Sequence, residues 1–300
     1  MTRAAPVDES TIAAVLLERY GVAATRFELL GGGLDTAAWT YQVTEDRVLR
    51  LARGPVAPRT FALPFALHAA GVNAVVAPLP DRDGALSVDG EGLTWALYPY
   101  VDGLDGYRGR LTDTLWRDLG RVLHAIHTAN IPDNVRDLLP VDAGDAAAYD
   151  KIAEVDAVRA EPFAASWRRH RDTARAMLAQ MHALSGEIKA DPRPRVICHG
   201  DLHPGNVLVG SDGLRLVDWD CVLLAVPERD LIFAQPALLE GYGPIEVDRP
   251  ALRYYRCERV LQDVLEEARR ASYDAIEAER WLRHFFRPGG EADDAIAGPE

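Results

Sequence analysis

The chain has 300 residues, 48% of them hydrophobic, which suits one two-lobed domain or two small ones. Its 46 acidic and 33 basic side chains leave a formal charge of −13, which argues against nucleic acid as a partner because phosphate binding needs clustered Lys and Arg. No apolar run approaches the ~20 residues of a membrane span and the first nine residues carry no signal-peptide segment, so a cytoplasmic protein without membrane contact is expected.

Ser10 and Thr11 before Ile12, Val15, Leu16 and Tyr20 predict a capped amphipathic helix that stops at Gly21. A strand-rich stretch begins at Phe27. Gly31, Gly32 and Gly33 lead into a strand over 37–43, and a polar turn leads into the next over 48–51. Backbone N–H groups of such a glycine run can approach phosphates, although a plain hairpin turn is the commoner use. Pro64 is favourable in a first turn and disruptive inside, so a helix is expected from Pro64 to Gly71. Strands over 74–76, 85–88 and 93–98 then complete a five-stranded, one-helix N-terminal region.

From residue 104 the pattern becomes helical. Leu115, Leu119, Val122, Leu123 and Ile126 form a core-facing stripe, with His124 and His127 assigned to packing because no third metal ligand accompanies them. Helices are predicted over 146–158, 167–188 and 253–270, and a disordered tail over 289–300. Cys198, Cys221 and Cys257 form neither a disulfide framework nor a zinc pattern and read as buried thiols.

The chemistry concentrates in His199-Gly200-Asp201-Leu202-His203-Pro204-Gly205-Asn206 and the following Leu216-Val217-Asp218-Trp219-Asp220. Residues 207–209 and 214–217 flank a turn-prone Gly-Ser-Asp-Gly and should pair antiparallel. A turn centred on Asp212 sets Asn206 opposite Asp218, about 5 Å apart at Cβ. An amide oxygen and a carboxylate so placed can share a hard cation, Mg2+ rather than Zn2+. Asp201, five residues before Asn206, is then the candidate base of a phosphoryl transfer.

These motifs resemble the aminoglycoside phosphotransferase and choline kinase family, with His-Gly-Asp where protein kinases carry His-Arg-Asp. The resemblance implies an α+β, bilobal, protein-kinase-like fold: an N-terminal nucleotide-binding lobe over 1–98 with an antiparallel sheet and one helix, a hinge at 99–103, and a larger, mainly helical catalytic lobe over 104–300. It implies ATP, or GTP, as co-substrate. Arg50 stands where a kinase has its phosphate-pairing Lys, Gly31 to Gly33 approach the phosphates, and the Pro99 carbonyl and Val101 N–H face the purine. His199 braces the loop, and Asp230 supports it. The following helix offers no Glu, so Arg50 must be oriented by another carboxylate, with Asp218 a candidate, or by nucleotide alone. Asp220 is expected near a second metal or a cationic substrate amine.

Residues 75–88, 97–103 and 217–231 look most like the spectinomycin-phosphorylating branch of that family. The resemblance therefore implies a small cationic aminocyclitol or aminoglycoside antibiotic as acceptor, with resistance as the outcome. A metabolic kinase for choline, a sugar or another hydroxylated compound is the alternative, and a nucleotide-sensing pseudokinase a third reading. Monomer and dimer both stay open.

Overall fold

The computed structural model describes residues 6–30 and 38–297, so Gly31, Gly32 and Gly33 lie outside the described residues. Two compact units emerge. The first runs up to Pro140 and adds His199–Leu223 and Gln235–Pro244; the second comprises Val141–Cys198, Leu224–Ala234 and the chain from Ile245.

In the first unit, α1 (Glu9–Val15) is capped by Asp8, whose carboxylate accepts from the Thr11 N–H at 2.7 Å. Ser10, the expected cap, donates its hydroxyl to the same carboxylate. One π-helical turn follows and ends at Gly21, whose φ of 69° is the left-handed stop that glycine accommodates. The sheet has the order β1-β2-β3-β5-β4, all neighbours antiparallel, with β1 at Glu28–Leu29, β2 at Ala38–Gln42, β3 at Arg47–Arg53, β4 at Val88–Gly90 and β5 at Leu93–Pro99. Leu49, Leu51, Trp95 and Leu97 form a core with Ile12 and Leu16 of the N-terminal helix region. Strand alternation turns Arg50 to the opposite face. Its cross-strand neighbours, Thr40 and Ala96, are both short.

Two expectations in this region are corrected. The helix α2 spans Arg59–Ala69 and runs through Pro64, because burial of Phe61, Leu63 and Leu67 outweighs the one hydrogen bond that proline forfeits. Residues 74–76 form no strand of this sheet; Val75 instead makes an isolated parallel bridge to Leu216.

The chain continues through β6 (Gly103–Asp105), α3 (Gly106–Gly109), α4 (Asp113–His127) and α5 (Asp133–Arg136). Thr112 caps α4 through the Leu115 N–H. The hairpin formed by β8 (Val207–Gly210) and β9 (Gly213–Leu216) pairs with β6 through β8. This pairing explains why the compact units do not divide at 99–103: residues 104–140 are tied to the hairpin. α4 meets α7 (Pro236–Tyr242) not along that stripe but along Arg117, Gly120, His124 and His127: a Cβ at Gly120 would sit 2.1 Å from the Leu238 carbonyl oxygen, the His127 Nδ1 and the Tyr242 hydroxyl share a 2.8 Å hydrogen bond, and His124 meets the same ring edge-on.

The second unit is built on α6 (Phe163–Ala190) and α8 (Arg249–Arg270), with the two-stranded β7 (Val196–Cys198) and β10 (Leu223–Ala225), α9 (Ala275–Phe285) and α10 (Glu291–Ala297). Trp167, Met177, Met181, Tyr254, Leu261 and Leu282 fill its core. The segment 146–157 is helical but of the tighter 3-10 kind. The tail expected to be disordered over 289–300 is instead helical over Glu291–Ala297, where Ala292 and Ala295 are buried and the Cys257 thiol of α8 donates to the Ala295 carbonyl; residues 298–300 lie outside the described residues. Alanines three apart give α10 a flat face for that approach. Cys198 and Cys257 are buried as expected, whereas Cys221 is exposed. Among the described residues no helix is long and apolar enough to cross a membrane.

Candidate active site

The hairpin register differs from the expected one by a residue. Val207 pairs with Leu216, Leu208 with Arg215, Val209 with Leu214 and Gly210 with Gly213, so the loop is the two residues Ser211 and Asp212. The observed register keeps Leu214 and Leu216, both buried, on one face with Val207. A slip by one residue would turn a whole strand over and bring Arg215 to that face. Asn206 consequently lies opposite Val217, whose N–H donates to the Asn206 carbonyl at 3.1 Å. Asp218 is not its partner across the ladder.

Asp218 reaches the site by a different device. Its φ of 65° puts it in the left-handed region, a conformation that costs a non-glycine residue about 1 kcal/mol or more and collects at functional positions. The chain leaves β9 there and turns sharply. His199, fully buried, holds the turn by donating from Nε2 to the Val217 carbonyl at 2.9 Å and by packing on Trp219 with ring centroids 4.6 Å apart.

Gly200 lets the Asp201 loop run against the same turn. Its φ is +81°, and a Cβ there would sit 2.1 Å from the Cys221 carbonyl oxygen. Gly200→Ala is therefore expected to lose at least about 2 kcal/mol, a left-handed penalty plus a backbone clash, with Tm falling by several degrees. A thermal scan matching the unsubstituted protein would refute the close approach.

Within the loop, the Asn206 Nδ2 donates to the Asp201 carbonyl at 2.8 Å and comes within 3.5 Å of its Oδ2. An amide that spends its N–H groups in this way turns an acceptor oxygen elsewhere. Arg50 takes Asp220, not Asp218, as its partner: Nη1 donates to Oδ1 at 3.1 Å and Nη2 to Oδ2. This fork-to-fork pairing supplies the carboxylate that α2 lacks. Asp220, expected near a second metal or a cationic substrate amine, has both its oxygens on the guanidinium here.

The electrostatics bind these pieces together. Burial, followed by the nearby Asp220 charge, pushes the Asp218 carboxyl up to about 6; Arg50 and His199 oppose that shift, and Asp201 adds to it. Asp218 is nevertheless an exposed residue, so its desolvation is partial, and the crowding of carboxylates is the part of this cause that a bound cation would reverse. Tyr98 on β5 senses Arg50, Asp220 and Asp218 and is itself held well above the usual phenol range, mainly by burial.

The remaining candidates fall as follows. Pro99 closes β5 opposite Arg47, and the next residue, Tyr100, donates its N–H to the Asp46 carbonyl at 2.9 Å, which leads the chain on to Val101. Asp230 is 1% exposed and belongs to the second unit. Tyr107, which no motif singled out, stacks on His203 at 6.1 Å. Its only sequence signal is the glycine spacing of 103–109, which permits close backbone approach.

The sequence profile of the phosphotransferase enzyme family matches residues 26–273. Protein StrN of Streptomyces griseus is 28% identical over 257 residues, 78% of either chain. The crystal structure of spectinomycin phosphotransferase APH(9)-Ia in complex with ADP and spectinomycin superposes with a TM-score of 0.86 at 24% identity, covering 98% of this chain and 99% of that one. A choline/ethanolamine kinase family protein from Mesorhizobium loti gives a TM-score of 0.52 at 17% identity, covering 96% and 99%.

Proposed function

The chain belongs to the phosphotransferase enzyme family, and on that premise we propose that it transfers the γ-phosphate of ATP to a hydroxyl of a small cationic aminocyclitol or aminoglycoside, spectinomycin first among them. The observation that carries the reading is the convergence of Asp201, Asp218, Asp220 and Arg50 in one electrostatic neighbourhood. Asp201 accepts the proton of the acceptor hydroxyl as its oxygen bonds to the γ-phosphorus and the bond to the β-γ bridging oxygen breaks. Arg50, already forked on Asp220, offers N–H groups to phosphate oxygens. Pro99 and Val101 offer the purine an acceptor and a donor.

The donor set suits a hard divalent cation: an amide oxygen from Asn206 and a crowded carboxylate from Asp218. Bound there, Mg2+ would neutralise charge on the phosphate oxygens. The sensor alternative rests on Arg50 standing in the lysine position and on the missing helix Glu, and the pairing with Asp220 answers the second of these. The excess of acid over base, −13 overall, favours a cationic acceptor, and a host carrying the enzyme would be protected from such an antibiotic.

The test is consumption of ATP, and of GTP in parallel, by the purified protein with Mg2+ and a panel of spectinomycin, aminoglycosides, choline and simple sugars. Phosphorylated spectinomycin is the expected product. Preference for choline or a sugar would overturn the acceptor, and tight nucleotide binding without turnover on any acceptor would overturn the enzyme.

The Arg50 and Asp220 pair carries its own expectation. Asp220→Ala should raise the KM for ATP about tenfold, and Arg50→Ala more, whereas the double variant should be no worse than Arg50→Ala alone. Independent, additive losses would mean that Asp220 does not act through Arg50.

A further inference from the structure

His203 carries a role that neither the motif nor the family match assigns. The Gly205 N–H lies 3.0 Å from its Nδ1, and a backbone N–H can only donate, so Nδ1 accepts and the ring hydrogen sits on Nε2. That Nε2 is 4.0 Å from Oδ2 of Asp201, the oxygen that Asn206 Nδ2 also approaches. The ring is clamped. Tyr107 stacks on it with an interplanar angle of 27°, and a Cβ at position 205 would come within 2.6 Å of the imidazole, so only glycine lets the backbone lie that close. Both His203 and Asp201 have side chains 20% exposed, which leaves each sheltered but reachable.

We propose that His203 is a positioning residue: its Nε2–H orients the Asp201 carboxylate through Oδ2, closing the 4.0 Å gap when the acceptor is bound. The inference rests on Asp201 being the base of the proposed transfer. A gap of this size exceeds a hydrogen bond, but donor contacts to catalytic groups commonly tighten only in the loaded enzyme. Tyr107, half-exposed above the ring, sets the ring's tilt and hence the direction of the N–H.

A purely structural reading is available, since His203 also caps the short turn at Pro204–Asn206. Two substitutions separate the roles. His203→Asn places an amide oxygen where Nδ1 stands, so the cap to Gly205 survives and the donor toward Asp201 is lost. His203→Gln can bring an amide N–H toward the Nε2 position. The expected result is a kcat about 10- to 100-fold lower for His203→Asn with the KM for ATP unchanged, and partial recovery for His203→Gln.

The ring tautomer is read separately from the imidazole 15N shifts of the unsubstituted protein, without turnover. A pyrrole-like Nε2 and a pyridine-like Nδ1 are expected. The inference is overturned by a kcat for His203→Asn within about twofold of the parent, by a loss that appears in nucleotide KM instead, by no recovery in His203→Gln, or by the opposite tautomer. A parent enzyme that phosphorylates no acceptor overturns the catalytic reading, and the tautomer still decides the geometry on which the positioning role stands.

Discussion

Asp201→Ala is expected to lower kcat by about 10³-fold, roughly 4 kcal/mol of transition-state stabilisation, while the KM for ATP stays within a few-fold of the parent. The separation follows from what holds the loop. Asn206 is tied by its 2.8 Å bond to the Asp201 main-chain carbonyl, which alanine retains; truncation removes the weaker approach to Oδ2 at 3.5 Å and the 4.0 Å approach of the His203 Nε2. His199 ties the start of the loop to the Val217 carbonyl through its own ring, and Gly200 seats the chain on Cys221. None of these contacts needs the Asp201 side chain, so the scaffold for nucleotide should persist. Steady-state kinetics with saturating acceptor decide the matter. A kcat within tenfold of the parent would remove Asp201 from proton transfer, and a matching rise in nucleotide KM would make it a binding residue instead.

The same loop shows which parts of the site can be read from residues in order. Motif spacing was enough to bring Asp201 and Asn206 together, because five residues in a Pro-Gly turn have little freedom to diverge. The hairpin was legible as a hairpin, from apolar strands around Ser211 and Asp212, but its register was not. Two- and three-residue loops differ by one position, and only the burial of Leu214 and Leu216 beside Val207 selects between them.

Long-range partners were harder still. Arg50 and Asp220 are 170 residues apart, and nothing local marks the pair; the missing Glu on α2 announced a vacancy in the pattern without saying what fills it. Pro64 and the 291–297 helix were misread for a shared reason. Proline propensity argues against helix at the first, and the polar, Gly- and Pro-flanked composition suggests disorder at the second although Ala and Glu themselves favour helix; burial of Leu63 and Leu67 in one case and of Ala292 and Ala295 in the other decides the outcome. The left-handed Asp218 combines both limits, since Asp tolerates that backbone better than most residues but is not confined to it.

Asp218→Asn should separate stability from function in opposite directions. Asparagine fits the same volume and accepts a φ of 65° at least as readily, so the turn after β9 is kept. What changes is charge. The native carboxyl is raised to about 6 from 3.8, chiefly by burial and then by Asp220, so the folded state binds an extra proton between those values and loses stability as pH rises through them. Above pH 6 the metal-free parent carries the full penalty. The neutral variant should then be the more stable by about 1 kcal/mol, a figure reduced for the solvent that still reaches this side chain. The advantage should shrink as pH falls through 6 and vanish below about 4. With Mg2+ and ATP the order should invert, because removing an anionic ligand weakens metal-dependent nucleotide binding by 100-fold or more, on the order of 3 kcal/mol. Thermal unfolding across pH without metal, and calorimetric titration of ATP with and without Mg2+, measure the two halves. A variant less stable than the parent at pH 8 would deny the carboxylate crowding, and unchanged Mg2+ dependence of ATP affinity would deny the ligand.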